Sequence, residues 1–123
     1  MATTDISFCR SFLFTPGNRP ERFAKGAAAG ADALILDLED AVALPDKDHA
    51  RKTVIDHFRG DWRSILAPGQ QCGLRVNNIH TAAGAQDLLA LIEAGLKRED
   101  AYKIVQRHSM IAWDQERPLR ALL

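Results

Sequence analysis

The stretch that most constrains this chain is Ala33-Leu34-Ile35-Leu36-Asp37, an unbroken apolar run that ends in a charge. A strand with one wet face alternates apolar and polar residues, so a run without alternation has to be covered on both faces. That is the condition of a parallel sheet flanked by helices, in which each pair of strands is joined by a crossover. The neighbouring sequence meets it. Arg10 to Thr15 (RSFLFT) is a short apolar strand, and Pro16-Gly17-Asn18-Arg19 is a turn. Pro20 then takes the first position of a helix, where its missing N–H costs nothing, and Glu21 meets the positive end of the helix dipole. Phe23, Ala24, Ala27 and Ala28 form one apolar face, and Gly30 stops the helix. Beyond the central run, Asp46 can cap a second helix whose stripe is Ala50, Val54, Ile55 and Phe58, ended by Gly60. Asp61 to Gln70 connects to a third strand, Gln71 to Val76 (QCGLRV). Thr81 can cap a third helix through Leu88, Leu89, Leu91 and Ile92, stopped by Gly95. The order βαβαβα predicts an α/β fold with right-handed crossovers.

After Gly95 no fourth strand follows. Positions 101, 104, 105, 108 and 112 make a helical stripe within Lys97 to Trp113, and Pro118 breaks it. The 123 residues allow one domain. With 16 basic and 16 acidic side chains the net charge is zero, which argues against a nucleic-acid partner. No apolar run approaches the ~20 residues that span a bilayer. The first residues lack a basic region followed by an apolar one, so a cytoplasmic location is expected. Cys9 and Cys72 precede or open the outer strands. If those strands flank the central one, two strand spacings of roughly 9–10 Å separate them. That exceeds the ~7 Å reach of a disulfide, so both thiols are expected to be reduced.

In a parallel α/β sheet, chemistry collects outside the carboxyl ends of the strands. Here the first strand ends in Thr15-Pro16-Gly17-Asn18-Arg19, the second in Asp37-Leu38-Glu39-Asp40 and the third in Arg75-Val76-Asn77-Asn78. Three acids within four residues repel one another unless a cation, an arginine or water screens them. A metal or basic partner would suit them; so would pairing with nearby Lys and Arg. Arg75 can fork onto a substrate carboxylate or phosphate, or pair with Asp37 or Glu39, and the pattern alone leaves both open. The backbone N–H groups of the turn opened by Pro16-Gly17, from Gly17 onward, could receive an anion, though a plain turn is the commoner use. Arg19, Arg22 and Lys25 form a basic face that a phosphorylated cofactor or plain water could meet. His49, His57, His80 and His108 show no ligand or triad spacing. Ser11, Ser64 and Ser109 lack a nucleophile-elbow context.

The segment RSFLFTPGNRPERFAKGAAAGADALILDLEDAVALPDKDHAR, continued by LRVNNIHTAAGAQDLLAL, resembles the start of the citrate lyase beta-subunit-like family, the CoA-ester lyase branch of the HpcH/HpaI aldolases. The RSFLFTPG, LDLEDAV and RVN motifs carry it over residues 8–95. The resemblance implies a (β/α)8 barrel of TIM type, of which this chain holds three βα units followed by a helical tail. It implies cleavage or formation of a carbon–carbon bond between a 2-oxo acid and an acyl-CoA thioester. The substrates would be CoA thioesters of 2-hydroxy or 3-hydroxy dicarboxylic acids, of citryl-CoA or malyl-CoA type. By the same resemblance Arg75 and Asp37 are the catalytic candidates, Arg75 with Glu39 the substrate-binding ones, and Arg19 approaches CoA. The Mg²⁺ of the family is held by a Glu and an Asp on later strands, so no metal ligand is assigned here.

The last segment, LLALIEAGLKREDAYKIVQRHSMIAWDQERPLRALL, is similar to the C-terminal helices of adenylosuccinate lyase. The two resemblances meet at residues 88–95, as they would in a truncated gene, a recombined fragment or an artificial sequence. The expected organisation is a barrel fragment over residues 1–95 and a helical tail over 96–123. A barrel of this type needs ~250 residues, so the chain is expected to be inactive alone. The rival expectations are a non-catalytic module that self-associates through its open strand edges, and a remnant of adenylosuccinate lyase.

Overall fold

A computed structural model describes residues 8–95 of the chain. In chain order the elements are β1 (Phe12–Pro16), α1 (Phe23–Ala28), β2 (Ala33–Asp37), α2 (Lys47–Arg59), β3 (Gln71–Arg75) and α3 (Ala82–Glu93). The strands form one parallel sheet in the order β1-β2-β3. Phe14, Ile35 and Gly73 lie in one register row, and Pro16, Asp37 and Arg75 in the next row on the same face. The three carboxyl ends are therefore level and open onto one rim. All five residues of β2 are buried, as the apolar run requires of a central strand. The helical stripe expected within 97–113, with Lys97, His108 and Ser109, lies outside the described residues. Among the described residues, no helix is long and apolar enough to cross a membrane.

Alternation along the strands divides the sheet into two faces. Leu34, Leu36, Cys72 and Leu74 join Phe23, Ala27, Ala50, Val54, Phe58, Trp62 and Leu91 in one core between sheet and helices. Each such Leu, Val or Phe side chain contributes roughly 1.5–3 kcal/mol on full burial, so this face supplies most of the stability. Ala33 and Ile35 turn the other way and pack with Cys9. The register places Phe12, Phe14, Gln71, Gly73 and Arg75 on that second face. Cys72 and Cys9 thus lie on opposite faces, and no disulfide joins them.

The helices depart from expectation in their starts. Pro20–Arg22 forms a tight 3-10 turn, and the α-helix begins only at Phe23. Six residues are fewer than two turns, so one i, i+4 pair reaches the core: Phe23 and Ala27 are buried, while Ala24 and Ala28 are exposed. Asp46 does not cap α2. It sits at φ −96°, ψ −2° inside a 3-10 turn over Leu44–Asp46, and its side chain accepts no capping bond. An N-cap needs an extended backbone to aim its oxygen at the helix amides, and the turn entered through Pro45 denies it. Thr81 meets that need at φ −101°, ψ 160°, and its hydroxyl oxygen accepts from the Gly84 amide at 3.1 Å. Gly84 presses on the carbonyl of Asn78, where a Cβ would collide with backbone, so α3 docks tightly behind the end of β3.

Candidate functional site

Asp37 and Arg75 are register partners at the ends of β2 and β3. Arg75 donates from Nε to Asp37 Oδ1 at 2.8 Å and from Nη2 to Oδ2 at 2.6 Å, a parallel two-bond fork. The same carboxylate accepts the amides of Glu39 (2.9 Å) and Ala41 (3.0 Å). An ionised carboxylate offers about four acceptor sites, and all four are taken. Burial pushes the Asp37 carboxyl up. The Arg75 hydrogen bonds, the two amides and the Arg75 charge outweigh it and hold the group below its ordinary value. The Arg75 guanidinium is correspondingly raised, first by its bonds to Asp37. It stacks over the Phe14 ring with 4.5 Å between Cζ and centroid. Asp37 therefore fixes where Arg75 points and has no lone pair left over for a substrate proton.

The loop after β2 is held from several sides. Leu38 donates its amide to the Arg75 carbonyl at 2.9 Å. The Lys47 ammonium donates to the carbonyls of Leu38 (2.9 Å) and Glu39 (2.8 Å). Asn77 donates from Nδ2 to the Leu38 carbonyl at 2.9 Å and to Asp87 Oδ2 at 2.7 Å. Asp87, buried on α3, also accepts the Asn77 amide (2.8 Å) and Arg51 Nε (2.9 Å). Lys47, Asp87 and Arg51 did not stand out in sequence, and Asn77 stood out only as part of the RVN motif. The available signal was Asp87 itself, an acid in step with Gly84 and Leu91 on the inward stripe of a helix. A charge at a core position requires partners, and here they come from α2 and from Asn77, two residues beyond β3.

The remaining sequence candidates are placed as follows. Glu39 and Asp40 stand beside Arg75, with carboxylate-to-nitrogen distances of 3.8 and 3.9 Å. Those lengths are ion pairs and not hydrogen bonds. Arg19 lies at the start of the turn before α1, exposed, with Glu21 at 3.8 Å. It does not join the Asp37–Arg75 pair. The Gly17 amide donates to the Asp37 carbonyl at 2.8 Å, so it serves the sheet and not an anion. A Cβ on Gly17 would meet that carbonyl and Val54 Cγ1, both at 2.9 Å, which accounts for the glycine. His57 packs edge-on against Phe23 and Phe58, with centroids 4.9 and 5.5 Å away. His49 and His80 join no cluster: among the described residues no three His, Cys, Asp or Glu side chains are grouped to hold a metal ion. The described residues consequently do not fit a magnesium site, and Asp37, the best placed acid, is already saturated.

The sequence profile of the HpcH/HpaI aldolase/citrate lyase family matches residues 10–99. That of the adenylosuccinate lyase C-terminus matches residues 84–123. An L-malyl-CoA/beta-methylmalyl-CoA lyase of Cereibacter sphaeroides is 40% identical over 97 residues, covering 77% of this chain and 29% of the lyase. The citrate lyase subunit beta-like protein of Mycobacterium tuberculosis is 46% identical over 80 residues, 65% of this chain and 26% of its own length. Among solved structures, a citrate lyase beta subunit of M. tuberculosis complexed with oxaloacetate and magnesium matches at 47% identity with a TM-score of 0.53. The match covers 66% of this chain and 32% of that one. The chain thus spans less than a third of the length of these relatives.

Proposed function

The chain belongs to the HpcH/HpaI aldolase/citrate lyase family, and on that premise we propose that residues 1–95 are the opening three βα units of a carbon–carbon lyase barrel, with residues 96–123 a helical tail. The substrates would be CoA thioesters of 2-hydroxy or 3-hydroxy dicarboxylic acids, of citryl-CoA or malyl-CoA type. One observation carries the proposal: Arg75 stands at the carboxyl rim of the sheet, forked onto Asp37, with three of its five N–H groups left over. In this role Arg75 binds a carboxylate of the small oxo acid, and Asp37 holds the guanidinium in place. Arg19 would meet the CoA moiety from the neighbouring turn. The family relatives include complexes with magnesium, oxaloacetate, and coenzyme A with acetoacetate. By the family resemblance magnesium belongs to the intact barrel, and the described residues of this chain do not fit it. A cytoplasmic location belongs to the same proposal.

The test is binding and turnover on the 123-residue chain. Oxaloacetate should bind in the millimolar range, about 4 kcal/mol, and Arg75→Ala should abolish its ligand-observed NMR signal. Equal signals from both proteins would remove Arg75 from the site. Citryl-CoA and malyl-CoA should yield no acetyl-CoA and no oxaloacetate or glyoxylate, with or without magnesium. Magnesium-dependent formation of acetyl-CoA together with the oxo acid, absent from a mock purification, would show that this length of chain suffices for catalysis.

A second proposal concerns assembly of this chain. Among the described residues, the outer edges of β1 and β3 are unpaired. Leu89 and Ile92 of α3 are 54% and 75% exposed. Unpaired parallel edges beside exposed apolar side chains favour pairing between copies. A concentration-dependent dimer or larger species is expected in sedimentation at ~100 µM, where a weakly stable open sheet associates by mass action. A monomer with a cooperative thermal transition would exclude it.

A further inference from the structure

We propose that Glu39 and Asp40 compete with an incoming carboxylate for the outer edge of Arg75, so that an anion binds only by displacing them. The proposal rests on the assignment of Arg75 as the carboxylate-binding group. Asp37 occupies the guanidinium edge formed by Nε and Nη2. The edge between Nη1 and Nη2 is where a second carboxylate would dock with two parallel bonds. Glu39 Oε1 stands 3.8 Å from Nη1 and Asp40 Oδ2 stands 3.9 Å from Nη2. Neither has closed to a hydrogen bond, yet together they bracket that edge. The rim sets three carboxylates, Asp37, Glu39 and Asp40, against one guanidinium, and an anionic ligand arrives at a site that is already net negative.

The loop bearing these acids is pinned and does not withdraw as a unit. Asp37 takes the amides of Glu39 and Ala41, and Lys47 takes the carbonyls of Leu38 and Glu39. Displacement therefore falls to side-chain rotation. Asp40, with a side chain 83% exposed, swings into water easily. Glu39, at 29%, is the firmer guard. Resemblance assigned Glu39 to substrate binding, but an ionised carboxylate has no donor to offer an oxo acid and only contends for the same cation.

Oxaloacetate is titrated into the 123-residue chain and into Glu39→Gln, Asp40→Asn and the double variant, following the Arg75 Nε–H resonance by ¹⁵N NMR. The substitutions touch side chains outside the core and leave the Asp37–Arg75 fork intact, so folding is preserved. Each neutralisation should tighten binding about 2- to 5-fold, the range that exposed ion pairs command, with Glu39→Gln the larger. Unchanged or weaker binding in both single variants, with the Arg75 resonance still responding, would overturn the competition alone. An Arg75 resonance that never responds in any variant would overturn the carboxylate site as well.

Discussion

Leu36 and Asp37 are neighbours in the chain and both fully buried, yet they lie on opposite faces of the sheet in opposite kinds of surroundings. Leu36 is buried by carbon, in a core shared with Val54, Leu74 and Leu91. Asp37 is buried by donors, with four N–H groups converging on it. The helix-side face is complete within the described residues. The opposite face ends in a cation with donors to spare and in Phe14, which remains 42% exposed. Stability and candidate chemistry have thus been divided between alternate residues of the same strands, a separation that the two-residue period of a strand makes possible.

The largest effect expected is on the packed face. Leu36→Ala should cost about 3–4 kcal/mol by urea unfolding, since it removes a fully buried side chain from a core that cannot collapse around the gap. Phe14→Ala, though a larger truncation, should cost about 1 kcal/mol, because its ring is already partly in water. Comparable losses would mean that the second face is packed in solution, and the division between faces would fail.

Much of this was legible because β2 has no alternation: a fully apolar run has few solutions, and the parallel sheet with three βα units follows from it. The bidentate Asp37–Arg75 pair was one of two openings left by the pattern, and register brings the two side chains together while leaving Arg75 donors for the other. What could not be read was a distant partner that no strand-end pattern marks. Asp87 looks like an ordinary acid until Asn77 and Arg51 are brought to it from 10 and 36 residues away. Gln70 reads as loop, yet its Nε2 donates to the carbonyls of Ala27 and Ala31 and ties the entry of β3 to the end of α1. Asp46 and Thr81 carry the same kind of capping signal, and only backbone geometry separates them.

Acid should separate the two regions by pH. His57, in the helix layer, is held below its ordinary value by burial. Its unfolded form takes up a proton first, so the stability it contributes is complete above about pH 6.5 and declines as pH falls from there toward the folded value. Asp37, at the rim, is also held low, by Arg75 and two amides acting against burial. Its contribution is present above about pH 3.9 and disappears as pH falls through the depressed folded value. The urea midpoint should therefore decline in two stages. His57→Gln should flatten the upper one and Asp37→Asn the lower. A single stage unaltered by His57→Gln would show that the imidazole stays hydrated in the fold.

The smallest effect tests whether local pattern or backbone geometry governs the helix layer itself. Thr81→Ala should cost about 1 kcal/mol, because the Gly84 amide loses its acceptor at the start of α3. Asp46→Ala should stay within ~0.5 kcal/mol, because its side chain caps nothing. What remains for Asp46 is its charge near the positive end of the α2 dipole, a term that salt screens. Raising the ionic strength to ~1 M should therefore erase the residual cost of Asp46→Ala and leave that of Thr81→Ala in place. If the two substitutions cost the same at both ionic strengths, Asp46 caps α2 in solution, and the turn through Pro45 is less restrictive than its backbone angles imply.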